Sequence, residues 1–218
     1  MISPARFLSA APGAPKQDTT VLAPSGGSTA TSRAEAIVFA TSALTLAGAW
    51  RMLPDASAAN GFAVGHPNAG ATKVPSPAAT PAHYVEFSFT AEAGRPYRLW
   101  LRGRADANHW SNDSVFIQFS GTVNASGQPV FRIGSTDATV VVLEESAGAA
   151  LSGWGWQDNG YGAGVLGPLL RFQTSGIQRI RLQTREDGLR IDQIVLSSER
   201  YLTEAPGAPR NDTTILRP

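Results

Sequence analysis

The chain contains no cysteine, which excludes disulfides, thiolate metal sites and a cysteine nucleophile together. Export is not excluded by this, because 218 residues can bury a core without covalent staples. Charge is scarce as well. Asp, Glu, Lys and Arg make up 16% of the chain, against roughly 25% in an average soluble domain, and the only lysines are Lys16 and Lys73. A net charge of +1 without any basic cluster removes the electrostatic reason to expect nucleic acid or an anionic membrane as partner. No apolar run approaches the ~18 residues of a membrane span. Met1–Ala10 lacks the basic-then-apolar order of a signal peptide, so any export signal is expected upstream of this sequence. The nucleophile-elbow, phosphate-loop and dinucleotide motifs are all missing, and His66, His83 and His109 show no metal-ligand spacing.

What is present is turn chemistry and two-residue periodicity. The 22 Gly and 15 Pro, with 42% hydrophobic residues, suit an all-β chain with many loops. Tyr84–Thr90 alternates strictly, with Val85, Phe87 and Phe89 on one side. Tyr97–Arg104 sets Leu99 and Leu101 against Arg98, Trp100, Arg102 and Arg104. Ala36–Leu46, Phe62–Val64, Ser114–Ser120, Pro129–Ile133, Thr139–Leu143, Leu169–Gln173, Ile177–Thr184 and Arg190–Leu196 complete about ten expected strands. Asp187-Gly188 between the last two predicts a tight hairpin, since both residues tolerate positive φ. Glu145–Leu151 is expected to form at most one helical turn.

The two ends of the chain repeat one another. Arg6–Pro24 (RFLSAAPGAPKQDTTVLAP) and Arg200–Pro218 (RYLTEAPGAPRNDTTILRP) align without gaps, 194 residues apart, with 12 of 19 positions identical. One reading makes residues 1–24 the tail of a preceding repeat, 25–33 a flexible Gly/Ser/Thr linker, 34–198 a β-sandwich module and 199–218 that module's own tail or linker. In the other, the two copies are matching arms of one domain.

Two loops hold the candidate binding residues. In Asn108–Asp113, Trp110 stands among polar neighbours, an arrangement that suits stacking on a pyranose while His109 and Asn112 take its hydroxyls. The competing reading folds Trp110 over the sandwich edge, with Asn112 and Asp113 satisfying turn amides. In Gly153–Gly162, Trp154 and Trp156 share one side of an extended chain. Here Trp156 is expected to be structural, with Trp154, Asp158, Asn159 and Tyr161 as ligand contacts. Arg185, Glu186 and Asp192 do not make a hydrolytic carboxylate pair, because neighbouring strand residues point to opposite faces and no second converging acid is evident.

Several segments together carry a family resemblance: AIVFATSALTLAGAW from Ala36, YVEFSFTAEAGRPYRLWLRGRA from Tyr84, NDSVFIQFSG from Asn112, GWGWQDNGYG from Gly153, REDGLRIDQIVLS from Arg185 and APGAPRNDTTIL from Ala205. The chain resembles large modules, often in tandem, of exported proteins of environmental bacteria. Their layout is similar to the galactose-binding-like jelly-roll β-sandwich of carbohydrate-binding modules of the family 6 and family 35 type. The resemblance implies a non-catalytic, secreted or cell-surface module that binds polysaccharide. It also implies a structural calcium, for which Asp192 matches the distal acidic position. The usual early pair of acids is reduced to Glu35 alone, so a site would need Glu35, Asp192 and carbonyls. The alternative function is a structural repeat of an extracellular fibre or adhesin, its tail pairing with neighbouring copies.

Overall fold

The computed structural model describes residues 36–39 and 44–217. The first copy of the repeat, the linker and Glu35 lie outside the described residues. Alternating sequences give alternating burial. Val85, Phe87, Phe89 and Ala91 of β5 (Tyr84–Ala91) face inward, as do Ile180 and Leu182 of β12 (Gly176–Thr184). These strands sit in a five-stranded antiparallel sheet with β2 (Thr45–Ala47), β7 (Ser114–Phe119) and β9 (Thr139–Val142), in the order β2-β5-β12-β7-β9. The second sheet runs β10 (Gly155–Gln157), β6 (Arg98–Ala105), β13 (Leu189–Ser197), β4 (Phe62–Gly65) and β3 (Arg51–Pro54), with β1 (Ala36–Phe39) also paired to β13. A two-stranded piece, β8 (Thr122–Val123) with β11 (Arg171–Phe172), completes the set. The chain is an all-β sandwich of two large antiparallel sheets, and one cluster that includes Phe119, Leu101, Ile117, Leu182 and Ile194 fills the space between them.

Four local expectations change. The Asp187-Gly188 turn does not close a hairpin. β12 pairs with β5 and β7, whereas β13 pairs with β1, β4 and β6. The turn is therefore a corner that carries the chain from one sheet to the other, pinned where Ala69 N–H and Ala71 N–H donate to Asp187 at 2.7 and 2.9 Å. Pro129–Ile133 makes only isolated bridges, at Pro129 and Arg132, because Phe131 takes a left-handed φ of 52° that breaks an extended run. Residues 145–151 form turns and bends, not a helical turn. Gly155–Gln157, read as part of a ring-presenting loop, is the edge strand β10.

β13 carries a bulge at Asp192, where its register against β6 slips between Ile191 and Gln193. The extra residue lets Ile191 and Ile194 both face the core although three positions separate them. It also turns Asp192 onto the outer face of the sheet, where Arg102 of β6 forms an ion pair with it. Arg102, 1% exposed, also donates from Nη2 to the Asp212 carbonyl at 2.8 Å, and its Nε lies 3.8 Å from the Asp212 carboxylate.

Asp212 belongs to the chain beyond Ser198, the stretch expected to be a tail or linker. Residues 201–216 form a strap across the outer face of the β10-β6-β13 sheet. Trp100 Nε1 donates to the Tyr201 carbonyl at 2.7 Å and Trp156 Nε1 to the Thr214 carbonyl at 3.2 Å. Gln193 bonds both the carbonyl and the N–H of Leu216, at 2.9 and 3.0 Å. The Trp156 N–H donates to Ala208 O, and the Asp212 N–H to Trp154 O, so the strap also covers the open edge of β10. Tyr201, Ala205 and Leu216 pack on Trp100, Trp156 and Val195. This sheet is thereby buried on both faces, as the almost unbroken burial of β6 and β13 records.

Removing one member of a buried ion pair leaves the other charge uncompensated, a loss of about 3–5 kcal/mol. Arg102→Ala is expected to lower the unfolding free energy by that amount in urea denaturation. A loss below about 1 kcal/mol would show that the buried network contributes little.

Candidate functional site

At one end of the sandwich, two loops and the edge strand β9 enclose a depression of about 500 Å³ lined by Trp110, Asn159, Gly160, Tyr161, Thr139, Val140, Val142, Phe131 and Ala138, with Lys73, Asp113, Glu144 and Arg185 supplying charge. Trp110 and Tyr161 are 59% and 57% exposed. Each aromatic comes from a different one of the two loops singled out in the sequence, and they meet at the same depression.

Trp110 opens a short 3-10 turn, Trp110–Asn112, capped where the Ser111 N–H donates to His109 Nδ1 at 3.2 Å. The imidazole lies against the indole, with ring centres 5.4 Å apart and planes inclined by 29°, which limits the ring's freedom at little entropic cost. Beneath it the loop is anchored by buried polar groups. Asn112 Nδ2 donates to the Asp106 carbonyl at 3.1 Å, and Asp113 Oδ2 accepts from the Glu144 N–H at 2.9 Å. On its other flank Trp110 borders a second depression of about 620 Å³, shared with His109, Asn68 and Asp187.

Tyr161 rides on the 158–167 loop, which Asp158 closes. Its carboxylate accepts from the N–H groups of Gly160 and Gly167, both at 2.8 Å, and pairs with Arg98 at 3.1 Å. At Gly160 a Cβ would stand 2.0 Å from the Val165 carbonyl, so the loop's tightness requires glycine there. Asn159 Nδ2 donates to Thr139 Oγ1 at 3.0 Å and to the Pro168 carbonyl at 3.2 Å. Asn159 Oδ1 has no hydrogen-bond partner among the described residues.

Of the predicted contact residues, the structure brings Trp110, Asn159 and Tyr161 to the depression, with His109 supporting Trp110 from the neighbouring one. Three expectations are corrected. Trp154 is 5% exposed; its Nε1 donates to Ser57 Oγ at 2.9 Å, and the guanidinium carbons of Arg102 and Arg104 lie 5.0 and 5.2 Å from its ring. It lies over the sheet's outer face and presents no ring to solvent. Asp158 and Asn112 are buried and spent on loop closure, so neither offers a contact. Trp156 is buried, in keeping with its expected structural part. For calcium, Asp192 Oδ2 is taken by the Arg102 guanidinium and by the Ala59 N–H at 2.7 Å. Arg102 thus supplies the positive charge a cation would have brought. Among the described residues no group of three His, Asp or Glu side chains could hold a metal ion. Sequence reasoning missed Lys73, Arg185, Glu144 and the valine wall; only the apolar run Thr139–Leu143, too apolar for a strand with one wet face, signalled it.

Below the depression sits an acidic pair. Glu186 Oε1 meets Lys73 Nζ at 2.7 Å, Oε2 accepts from the Asp113 N–H at 3.3 Å, and Ser114 Oγ hydrogen-bonds to it as well. Burial alone would raise the Glu186 pKa, but the bonds from Lys73, Ser114 and Asp113 outweigh it and hold it below the ordinary range. Asp113 pays the converse: burial, then its bond to and repulsion from Glu186, push it up to about 7. The pair keeps one proton, on Asp113, through mildly acidic pH. Burial likewise lifts Asp192 to about 6, with Ala59 and Arg102 holding it back.

Among solved structures, this sandwich is similar to carbohydrate-binding modules. A family 35 module from Clostridium thermocellum shares 15% identity at a TM-score of 0.41, covering 74% of this chain and 98% of that one. The C-terminal family 6 module of LamC, a marine laminarinase from Zobellia galactanivorans, shares 11% at 0.45, covering 75% and 99%. A β-(1,4)-mannanase of Podospora anserina that joins a GH26 domain to a family 35 module shares 11% at 0.47, over 76% of this chain but 28% of that one. The likeness is one of fold. No family model and no curated protein sequence matches the chain.

The raised carboxyls set the sign of the pH response. Between about pH 4 and pH 7 the folded chain keeps protons on Asp113 and Asp192 that the unfolded chain has released, so stability falls as pH rises through that window. Glu186 and Asp55, both lowered, act oppositely, and their contribution is lost as pH drops below about 4. Urea midpoints are therefore expected to peak near pH 4 and to decline toward pH 7, with Asp113→Asn flattening the decline. A midpoint that rises from pH 5 to pH 8 would contradict this assignment.

Proposed function

We propose that the chain is a non-catalytic carbohydrate-binding module of a secreted or cell-surface protein, and that the depression between Trp110 and Tyr161 holds the sugar. The observation that carries the reading is the convergence of two exposed aromatic rings, from loops some fifty residues apart in sequence, on one open depression with hydrogen-bonding groups in its wall. A pyranose presents an apolar face of C–H groups and a rim of hydroxyls. The indole and phenol can take the first, while Glu144, Lys73 and Arg185 at its wall suit the second. Both loops are fixed by buried polar anchors, so little conformational entropy is lost when a ligand binds.

A binding role accords better with this surface than catalysis. The carboxyls that line the depression are Asp113 and Glu144, and Asp113 is buried and already engaged by the Glu144 N–H and by Glu186. Glycoside hydrolysis instead needs two carboxyl groups spaced about 5 Å or more apart on either side of the scissile bond.

The test is retardation on soluble polysaccharides by affinity electrophoresis, followed by calorimetry on those that retard. Trp110→Ala and Tyr161→Ala should each weaken binding about five- to thirtyfold, the loss of roughly 1–2 kcal/mol of stacked apolar area. Trp154→Ala should instead lower stability and leave the affinity of the folded fraction unchanged. Retention by no glycan would refute the function. Binding that survives both ring deletions would refute the site.

A further inference from the structure

The strap gives the terminal repeat a physical meaning that sequence identity alone does not supply. With the exception of Asn211, the residues that anchor the strap through their side chains recur, or are closely replaced, in the first copy 194 positions earlier. Asp212, which pairs with Arg102 and also accepts from the N–H groups of Ala208 and Thr214 at 3.1 Å each, corresponds to Asp18. Leu216 and Ala205, packed on the Trp100–Trp156 cluster, correspond to Leu22 and Ala11, and Tyr201 to Phe7. The remaining anchors are main-chain groups: the carbonyls of Tyr201, Leu202, Ala208 and Thr214 accept from Trp100, Arg98 and Trp156. Any chain able to follow the same path can supply those. The path is narrow at one point, where the Pro209 carbonyl would stand 1.8 Å from a Cβ at Gly155. Pro209 corresponds to Pro15, within an identical Ala-Pro-Gly-Ala-Pro.

We propose that Arg6–Pro24 is a second strap, and that its partner is the same outer groove on a second copy of this chain. The groove faces the incoming segment with Arg102, whose Nε lies 3.8 Å from the carboxylate that Asp18 would replace, and with the indole cluster that Leu22 and Phe7 would cover. One position differs in a way that matters. Asn211 sits at a left-handed φ of 51°, and its Oδ1 accepts from Ser152 Oγ at 2.9 Å. Gln17 replaces it, and glutamine tolerates that backbone region less well than asparagine. The resident strap should therefore hold its groove against the foreign one, which fits best where the resident is absent or released. The proposal is independent of the sugar-binding reading, since the strap groove lies on the other sheet from β9.

The experiment uses the full chain carrying Asp18→Ala, to silence its own first copy, with a protease site inserted after Ser198. It is cut after folding, so that the strap stays in place without a covalent link. Labelled peptides are then added and uptake is followed by fluorescence anisotropy. The Arg6–Pro24 peptide is expected to enter at one per chain, about tenfold more weakly than an Arg200–Pro218 peptide, and Asp18→Ala in the peptide should abolish uptake. Entry of the Arg200–Pro218 peptide alone would overturn the proposal. So would equal uptake of the Asp18→Ala peptide, or exclusion of both peptides by a cut chain that remains folded by circular dichroism.

Discussion

A guanidinium held away from water must be surrounded by acceptors, and Arg102 is the point around which the second sheet is organised. Its needs explain features that look unrelated in the sequence: the bulge that turns Asp192 outward, the Ala59 N–H that shares that carboxylate, and the return of the chain to deliver Asp212. Without the strap, Arg102 and the indoles of Trp100 and Trp156 would lie on an open face. With it, the β10-β6-β13 sheet becomes the middle of three layers. Each partner on its own is a liability, because one buried charge without its counterpart costs several kcal/mol.

The other sheet and its edge serve differently. β9 places Val140 and Val142 outward beside two loops anchored by buried groups, and among the described residues the large rings left exposed there are Trp110 and Tyr161. The loops are held by carboxylates and amides because a tight turn leaves N–H groups that no strand satisfies. Asp158 and Asn112 therefore look like ligand contacts in sequence and turn out, with Asp113, to be the supports of the residues beside them.

Much of the fold was legible in the chain itself. Tyr84–Ala91 and Gly176–Thr184 announced themselves by alternation, and even the bulge left a trace in the spacing of Ile191 and Ile194. The alternation of Trp154 and Trp156 was also sound, since both indoles lie on the outer side of their sheet. What alternation cannot show is whether an outer face is wet. A segment fifty residues downstream covers this one, and Gly155 between the tryptophans admits that segment's backbone instead of freeing a loop. The Asp-Gly corner misled for a similar reason: a tight turn specifies a change of direction, while the sheet that receives the next strand is chosen by long-range packing. Of the binding surface, the two exposed rings were visible in advance. The wall that faces them was not, because Lys73, Glu144 and Arg185 come from segments brought together only by the fold.

Arg98 joins the two halves of this description. Its Nε donates to the Leu202 carbonyl of the strap, while Nη1 holds Asp158 and the Gly167 carbonyl at the two ends of the loop that carries Tyr161. One side chain is thus a rivet through two plates. Lifting the strap removes one of the bonds that fix the rivet's angle, and loosening the loop removes the others. The strap and the Tyr161 loop therefore share one buried fastening, and a substitution of Arg98 would unfasten both at once.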